Sequence, residues 1–343
     1  MANTSVPAIC DLHTSFENEY RALREEIVIF NRSDVGLLFL QGKDSLDFLN
    51  RLSTNHLLGL REDTFRSTIL TTEKGRFIEV VTVIPYDDGY LLEVSPNNEE
   101  RILGWLNKFV VMEDVKTSRP TPKLARASLA GFRLSSLVQH LGVSPTNDSR
   151  EKVHHTSFGN QKIMVCEDSL FHGRVWNIYC QRKDFTSLIL ELTSSCLSFL
   201  GSKLEQAGSK VFETFRIEEG VPATGKELTE EVDPLEAGLR NIVSFTKGCY
   251  IGQEVIARLD TYKKVQRKLG AFASHVPMEG EGLILQDNTT AGWTTSHCYS
   301  PILNQSLALG YLKTNITKEN LVLRIPRGAE YPITPVELPL SPV

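Results

Sequence analysis

The chain has 343 residues, more than one hydrophobic core usually serves, so two or three domains are predicted. Its 41% hydrophobic and 23% charged residues are ordinary for a globular protein, and its net charge of -5 argues against a protein that coats nucleic acid. The apolar runs are too short to span a bilayer, and the first twenty residues hold no Lys or Arg of a targeting peptide. We therefore expect a cytoplasmic protein without nucleic-acid or membrane partners, or a mitochondrial one if a presequence was removed.

The N-terminal part mixes helices with antiparallel strands. The patterns predict a helix at 16–26, strands at 26–30 and 35–42, a helix at 43–54, and strands at 66–72, 76–84 and 90–94 separated by turns. Ser95 and Pro96 then suit the start of a helix that runs to about Lys108, and a strand is predicted at 110–115. Because no βαβ rhythm is present, the fold class is predicted to be α+β.

A Pro-rich break at 119–123 precedes a second α+β segment. This segment contains predicted strands at 124–134, 162–168 and 174–181 and a helix near 184–198. From residue 269 onwards, short strands recur about every ten residues, which is typical of a small barrel or sandwich. They lie at 269–274, 282–286, 291–297, 307–312, 321–325 and 333–338.

The cysteines give no sign of a disulfide framework or a metal site. They are scattered, form no C-x-x-C pair, and lie at Cys10, Cys166, Cys180, Cys196, Cys249 and Cys298. The pairs His154–His155 and His297–Cys298 lack the further ligands that zinc requires. The sequence therefore predicts a chain that folds without metal or disulfide.

Two segments, 212–228 and 233–258, carry the motifs of interest. They contain R-x-E-x-G-x-P from Arg216, P-x-E-A-G-L from Pro234, and K-G-C-Y-x-G-Q-E from Lys247. Together these motifs resemble the signature of the YgfZ family, folate-binding proteins linked to iron–sulphur protein maturation. That family is similar in fold to the T-protein of the glycine cleavage system, an aminomethyltransferase. The segments "LFLQGKDSLDFLNRLSTN" and "AGWTTSHCYSP" resemble other parts of the family more weakly.

The resemblance implies an α+β, three-domain ring with a central channel and a small C-terminal β-barrel. We expect a discontinuous first domain of residues 1–45 and 121–250, an inserted domain of 46–120, and a barrel domain of 251–343. Ligands usually bind where domains meet, so the channel is expected to hold tetrahydrofolate or a derivative.

The implied function is that of a tetrahydrofolate-binding accessory protein for the assembly or repair of iron–sulphur clusters. Its partners would then be iron–sulphur client or assembly proteins. One alternative is a folate-dependent aminomethyl- or methyltransferase of the T-protein type, so it stays open whether the protein is an enzyme. The other alternative is a non-catalytic scaffold that has lost the ligand.

Cys249 is the candidate catalytic thiol. We expect Gly248 to form a left-handed turn and Cys249 to begin a helix, where the helix amides and Lys247 would favour the thiolate. The residues alone slightly favour a small hydrophobe packed at a domain junction. The resemblance favours a functional thiol over this interpretation, because a cysteine at this position distinguishes YgfZ-like proteins from the T-protein. The resemblance therefore predicts that Cys249 is accessible and functional.

Glu218 is the candidate pterin ligand. A pterin presents an amino group and a ring N–H side by side, and one carboxylate can accept both. The resemblance gives that role to the Glu of R-x-E-x-G, which places Glu218 in the central channel. Without the resemblance, the simpler interpretation is that Glu218 is a solvated surface acid. Arg216 is predicted either to orient Glu218 or to pair with a surface acid.

Arg258 and Glu79 complete the candidate folate-binding residues. Arg258 matches the family's G-Q-E-x-x-x-R spacing and begins a basic stretch, 258–268, that would suit folate's carboxylates, an RNA or protein partner, or a solvated helix face. The T-protein carries an Asp-Asp pair near the folate nitrogens, and Glu79 and Val80 align with that pair. Strand residues alternate between faces, so Glu79 replaces the acid only if it faces the channel, which puts aminomethyl transfer in doubt.

Overall fold

The computed structural model describes residues 8–119, 123–143, 151–278, 280–326 and 328–340. Within these ranges the chain forms a six-stranded sheet, a five-stranded sheet and a closed six-stranded barrel. Part of the Pro-rich break, residues 120–122, lies outside the described residues. No helix in the described ranges is long and apolar enough to cross a membrane.

The first unit is a six-stranded sheet covered by helices on both faces. Its strand order is β11-β1-β7-β10-β9-β8. The strands are β1 (Ile27–Asn31), β7 (Leu124–Ala130), β8 (Val153–Phe158), β9 (Gln161–Glu167), β10 (Val175–Gln181) and β11 (Leu204–Ala207). α4 (Leu134–His140) and α5 (Phe185–Ser195) pack on one face, and α1 (Phe16–Glu25) and α6 (Ser209–Glu219) pack on the other. Because both faces are covered, β7 is buried along its whole length.

The second unit is a five-stranded sheet of order β3-β4-β5-β2-β6. It consists of β2 (Gly36–Gln41), α2 (Ser45–Leu52), β3 (Arg66–Thr71), β4 (Phe77–Tyr86), β5 (Gly89–Val94), α3 (Glu99–Asn107) and β6 (Lys116–Ser118). β2 pairs with β5 along its whole length, so residues 36–41 belong to this sheet, although the predicted inserted domain began at residue 46.

Two local predictions in this unit were wrong. The helix expected to start at Ser95 begins at Glu99, because residues 96 and 97 form a turn in which Asn97 has a φ of 58°. The apolar run 110–115 is not a strand, and the pairing strand is the polar segment that follows it. Hydrophobicity alone favoured a strand there, but Val111 and Met112 are exposed.

The C-terminal unit is the predicted small barrel, which is confirmed. After α7 (Gln253–Thr261) the strands are β12 (Arg267–Ser274), β13 (Leu283–Gln286), β14 (Thr289–Ser300), β15 (Gln305–Lys313), β16 (Leu321–Arg324) and β17 (Glu330–Val336). They close in the order β12-β15-β14-β13-β16-β17. Gly292 sits where β14 and β15 come too close for a side chain, since a Cβ there would lie 1.9 Å from the carbonyl oxygen of Tyr311.

The three units meet around α6 and the segment that follows it. Ile217 of α6 packs on Ala271, Leu307 and Leu309 of the barrel. The segment 228–250 packs between β3 and β4 of the second unit and Tyr311 of the barrel. α6 also forms part of the first unit's core, so it contacts two of the three units directly. This junction contains the candidate site.

Candidate functional site

A cavity of about 720 Å³ lies where the first and second units meet α6 and the segment after it. Its walls come from the β1–β2 connection, β4, β5, the turn before α3, β7, the turn at 168–171, α6 and residues 221–230. The charged residues that line it are Arg32, Asp34, Glu93, Arg101, Arg126, Asp168, Glu213, Arg216 and Glu230. Cations and carboxylates are thus interspersed around the cavity.

Arg126 organises one wall. Its Nη1 lies 3.1 Å from Glu93, and its Nη2 donates to Asp168 at 3.0 Å and to Asn177 at 2.6 Å. Burial alone would lower the pKa of this guanidinium, but the carboxylates of Glu93 and Asp168 outweigh it and raise the pKa. The buried Nε of Arg126 has no hydrogen-bond partner among the described residues.

Arg216 lies in the opposite wall and is nearly fully buried. It donates to Glu213 at 2.6 Å, to Glu227 at 3.1 Å, to the carbonyl of Val221 at 3.1 Å and to Ser296 of the barrel at 2.7 Å. These contacts hold the end of α6, the following turn and β14 together. The motif arginine therefore pairs with Glu213 and the buried Glu227, and none of these bonds goes to Glu218.

Glu218 lies on another face of α6 and is not among the residues that line the cavity. Its side chain is 2% exposed and accepts hydrogen bonds from Tyr20 at 2.6 Å and Ser300 at 2.5 Å. Burial raises the pKa of this carboxyl, while the two hydroxyl donors oppose the rise. The structure thus places Glu218 between α1 and the barrel, and its pterin contact stays a prediction.

Glu79 is fully buried on β4, directly behind the cavity wall. Its carboxyl accepts from Ser95 at 2.7 Å, from Thr224 at 3.0 Å and from the amide of Asn98. Neighbouring residues of a strand point to opposite faces of the sheet. The next residue, Val80, lines the cavity, and Glu79 points away from it. Ser95, Asn98 and Thr224 also line it, so Glu79 contacts the wall without facing the cavity. Burial raises the pKa of Glu79 against these hydrogen bonds.

Cys249 is exposed and lies outside the cavity. The helix begins at Gln253, and the left-handed residue is Gly252, with a φ of 82°, instead of Gly248. The expected position of Cys249 at a helix start was therefore wrong. The Lys247 ammonium donates to three backbone carbonyls near the end of α2, those of Asn50, Ser53 and Asn55, at 2.6–2.8 Å.

Burial lowers the pKa of Lys247 to about 8. The three carbonyl contacts of Lys247 join the segment around Cys249 to the second unit. Lys247 therefore has a structural role, and its ammonium is engaged by these carbonyls instead of by Cys249 as the sequence suggested.

Arg258 is exposed on α7 and lies outside the cavity lining. Of the five predicted site residues, Arg216 lines the cavity and Glu79 lies buried behind its wall, whereas Glu218, Cys249 and Arg258 lie elsewhere.

Sequence reasoning missed several residues of the cavity: Glu93, Ser95, Asn98, Arg126, Asp168 and Thr224. One signal was available, because Arg126 is the charged residue inside the otherwise apolar strand "LARASLA". A charge in a buried strand requires partners, and partners cluster at sites. The described residues contain no group of three or more His, Cys, Asp or Glu that could hold a metal ion.

The chain matches two family models. Residues 7–247 match the GCVT N-terminal domain, and residues 267–341 match the glycine cleavage T-protein C-terminal barrel domain. The chain belongs to the glycine cleavage T-protein family. The expected T-protein-like fold with its closed C-terminal barrel is thereby confirmed.

Relatives of known name are 26–30% identical to this chain over the aligned residues. A chloroplastic candidate transferase of Arabidopsis thaliana is 30% identical over 306 residues, covering 87% of this chain and 69% of the relative. The aminomethyltransferase of Caldanaerobacter subterraneus subsp. tengcongensis is 26% identical, covering 87% and 80%. That of Aquifex aeolicus is 27% identical, covering 90% and 81%.

A solved structure confirms the fold of the family. The crystal structure of the glycine cleavage system aminomethyltransferase T from Bartonella henselae matches with a TM-score of 0.79 at 16% identity. The match covers 95% of this chain and 90% of that one. It therefore includes all three units.

Proposed function

We propose that this protein binds tetrahydrofolate or a derivative in the cavity and is a folate-dependent transferase of the glycine cleavage T-protein type. The observation that carries the proposal is the cavity of about 720 Å³ at the junction of the units. This volume lies in the range of about 300–1,000 Å³ that small-molecule sites occupy. The names of the bacterial relatives, which are aminomethyltransferases, support the reaction class.

The polar groups of the wall fit a pterin. Ser95, Asn98 and Thr224 line the cavity with hydroxyl and amide groups, which are able to hydrogen-bond the donors and acceptors of a pterin edge. Tetrahydrofolate would supply the nitrogen atoms that accept the one-carbon unit, and the protein would orient the ligand and exclude water.

The β4 wall of the cavity presents no carboxylate, although Glu93, Asp168 and Glu213 line the cavity elsewhere. β4 presents Val80 to the cavity, while Glu79 is turned into the protein. A carboxylate on this strand therefore cannot touch the ligand directly. If aminomethyl transfer takes place, another group must move protons at this position.

A titration with tetrahydrofolate tests the proposal, followed by a transfer assay from a lipoyl carrier. Val80→Trp should weaken binding about tenfold or more, because the indole would occupy the cavity that Val80 lines. The matched control is Val111→Trp, at a position 82% exposed, which should bind like the wild type. Absence of binding heat and of any thermal shift with the wild type would favour a scaffold that has lost the ligand.

A second candidate function is the YgfZ-type accessory role in iron–sulphur cluster assembly or repair. The exposure of Cys249 outside the cavity favours it, because a surface thiol suits contact with a client or assembly protein. Complementation by Cys249→Ser in a strain that lacks the protein tests this role. Folate binding without one-carbon transfer, together with failed rescue by the serine variant, would favour the accessory role over the transferase.

A further inference from the structure

Three oxygen atoms beside the cavity form a closed triangle. Ser95 Oγ lies 2.7 Å from Glu79 Oε1 and 2.7 Å from Thr224 Oγ1, and Thr224 Oγ1 lies 3.0 Å from Glu79 Oε1. Each pair is therefore at hydrogen-bond distance. The two hydroxyls line the cavity, whereas the carboxyl lies behind them.

The triangle has three contacts but only two hydroxyl protons. If Glu79 were ionised, the two hydroxyl protons could fill only two of the three contacts. The third contact would then hold two oxygen atoms at hydrogen-bond distance with no proton between them. A proton on the Glu79 carboxyl supplies the third hydrogen bond and completes the ring. The other donors to Glu79, Asn98 Nδ2 and the amide of Val80, are uncharged, so its donors within the described ranges are all neutral.

The charged groups on the elements that pack around Glu79 are engaged elsewhere. On the segment 221–230, Glu230 pairs with Arg101 of α3, Glu227 pairs with Arg216, and Lys226 pairs with Glu281. On α3, Glu100 pairs with Arg119 and Glu99 packs against Gly36, while β3 presents Leu70 opposite Glu79. Glu79 thus has no cationic partner in the part of the chain that the structure describes, and a fully buried carboxylate without one is costly, which favours the neutral acid.

We propose that Glu79 is a neutral carboxylic acid at neutral pH and exchanges its proton with the ligand of the cavity through the hydroxyls of Ser95 and Thr224. A basic atom of the ligand would take a proton from one hydroxyl, and that hydroxyl would take the proton of Glu79. The carboxylate left behind keeps the Asn98 amide and the Val80 N–H as donors. The reverse transfer restores the acid.

This relay would provide proton transfer at a strand position where Val80, and not Glu79, faces the cavity. The direction of the pKa shift at Glu79, upwards because of burial, agrees with the proton count. The part of the proposal that concerns the ligand rests on the proposed function. The protonation state and the hydroxyl path concern the ligand-free protein alone.

Infrared difference spectroscopy on the ligand-free protein tests the protonation state. The carbonyl stretch of a protonated carboxyl should be present at pH 7 and should be missing from its Glu79→Gln variant, whose amide keeps the shape of the side chain. The control Glu254→Gln, at an exposed position on α7, should leave the band unchanged. A Glu79→Gln spectrum that loses a carboxylate band instead would overturn the proposal.

Hydrogen–deuterium exchange of the same band tests the path. Thr224→Val and Ser95→Ala together should slow the deuterium shift about tenfold or more, because the hydroxyl connection to the cavity is gone. If the double variant does not fold, Thr224→Val alone should slow the shift, and Thr224→Ser should restore the wild-type rate. An unchanged rate in a folded variant would contradict the relay, whatever the outcome of the folate titration.

Discussion

At the scale of single residues, buried polar groups connect the units of this protein. Arg216 connects α6 to Ser296 of the barrel, and Glu218 connects α6 to Tyr20 and Ser300. Each group makes at least one hydrogen bond to a partner distant in sequence. Removing one partner would leave the others buried without a hydrogen bond, which costs more than the bond contributes.

Glu218→Ala should therefore destabilise the fold. Tyr20 and Ser300 would lose their common acceptor, and we expect a loss of about 2–4 kcal/mol in the free energy of unfolding. Urea denaturation followed by circular dichroism measures the change. Glu254→Ala, at an exposed position, should stay within about 0.5 kcal/mol of the wild type.

The same variant distinguishes the two roles of Glu218. If it binds tetrahydrofolate as tightly as the wild type but is less stable, the residue is a structural link. If the variant is as stable as the wild type but binds tetrahydrofolate more weakly, Glu218 contacts the pterin as its motif predicts.

At the scale of elements, the segment 242–252 is fastened to the second unit. Thr54 donates to the carbonyl of Ile242 at 3.0 Å, Thr71 donates to that of Ile251 at 2.7 Å, and Lys247 donates to the end of α2. Cys249 is thus exposed on a segment that is held on both sides. Such a segment presents its thiol in a fixed position.

Gly252 and Gly248 offer a matched test of this element. At Gly252 the φ is 82° and a Cβ would lie 2.6 Å from the carbonyl oxygen of Thr72, whereas at Gly248 a Cβ would meet nothing within 4 Å. Gly252→Ala should lose about 1–3 kcal/mol of unfolding free energy, and Gly248→Ala should change little. Equal losses at the two positions would indicate a left-handed Gly248, as the sequence suggested.

At the scale of the whole molecule, the arrangement of the units separates buried from exposed cysteines, and Cys298 is half-buried between the two groups. Cys166, Cys180 and Cys196 are buried in the first unit, while Cys10 and Cys249 are exposed. Burial raises the pKa of Cys180 to about 12 and that of Cys196 to about 11, which further suppresses their thiolates.

Alkylation by iodoacetamide at neutral pH should follow this division. We expect Cys10 and Cys249 to label in the native protein and the three buried cysteines to label only after unfolding, as read by peptide mapping. Cys249→Ser should remove one of the two native labelling sites. Labelling of Cys249 only in denaturant would show that its surroundings are closed in solution.

The sequence by itself determined those features that depend on local pattern. Alternating apolar residues and regularly spaced turns fixed the barrel strands from β12 to β17, because each strand must bury one face and expose the other. The strands β3, β4 and β5 followed from turn residues between apolar runs in the same way. The short β11 and the polar β8 gave no such signal and were missed.

Only the tertiary structure decided which side chains meet at the cavity. Arg216 and Glu218 are two residues apart, yet the turn of the helix sends one to the cavity wall and the other to the α1–barrel contact. Glu79 and Val80 are separated by the alternation of a strand, and Ser95 and Thr224 reach Glu79 from segments 129 residues apart. A sequence motif specifies residue types and spacing, but the packing of three units decides the direction in which each side chain points.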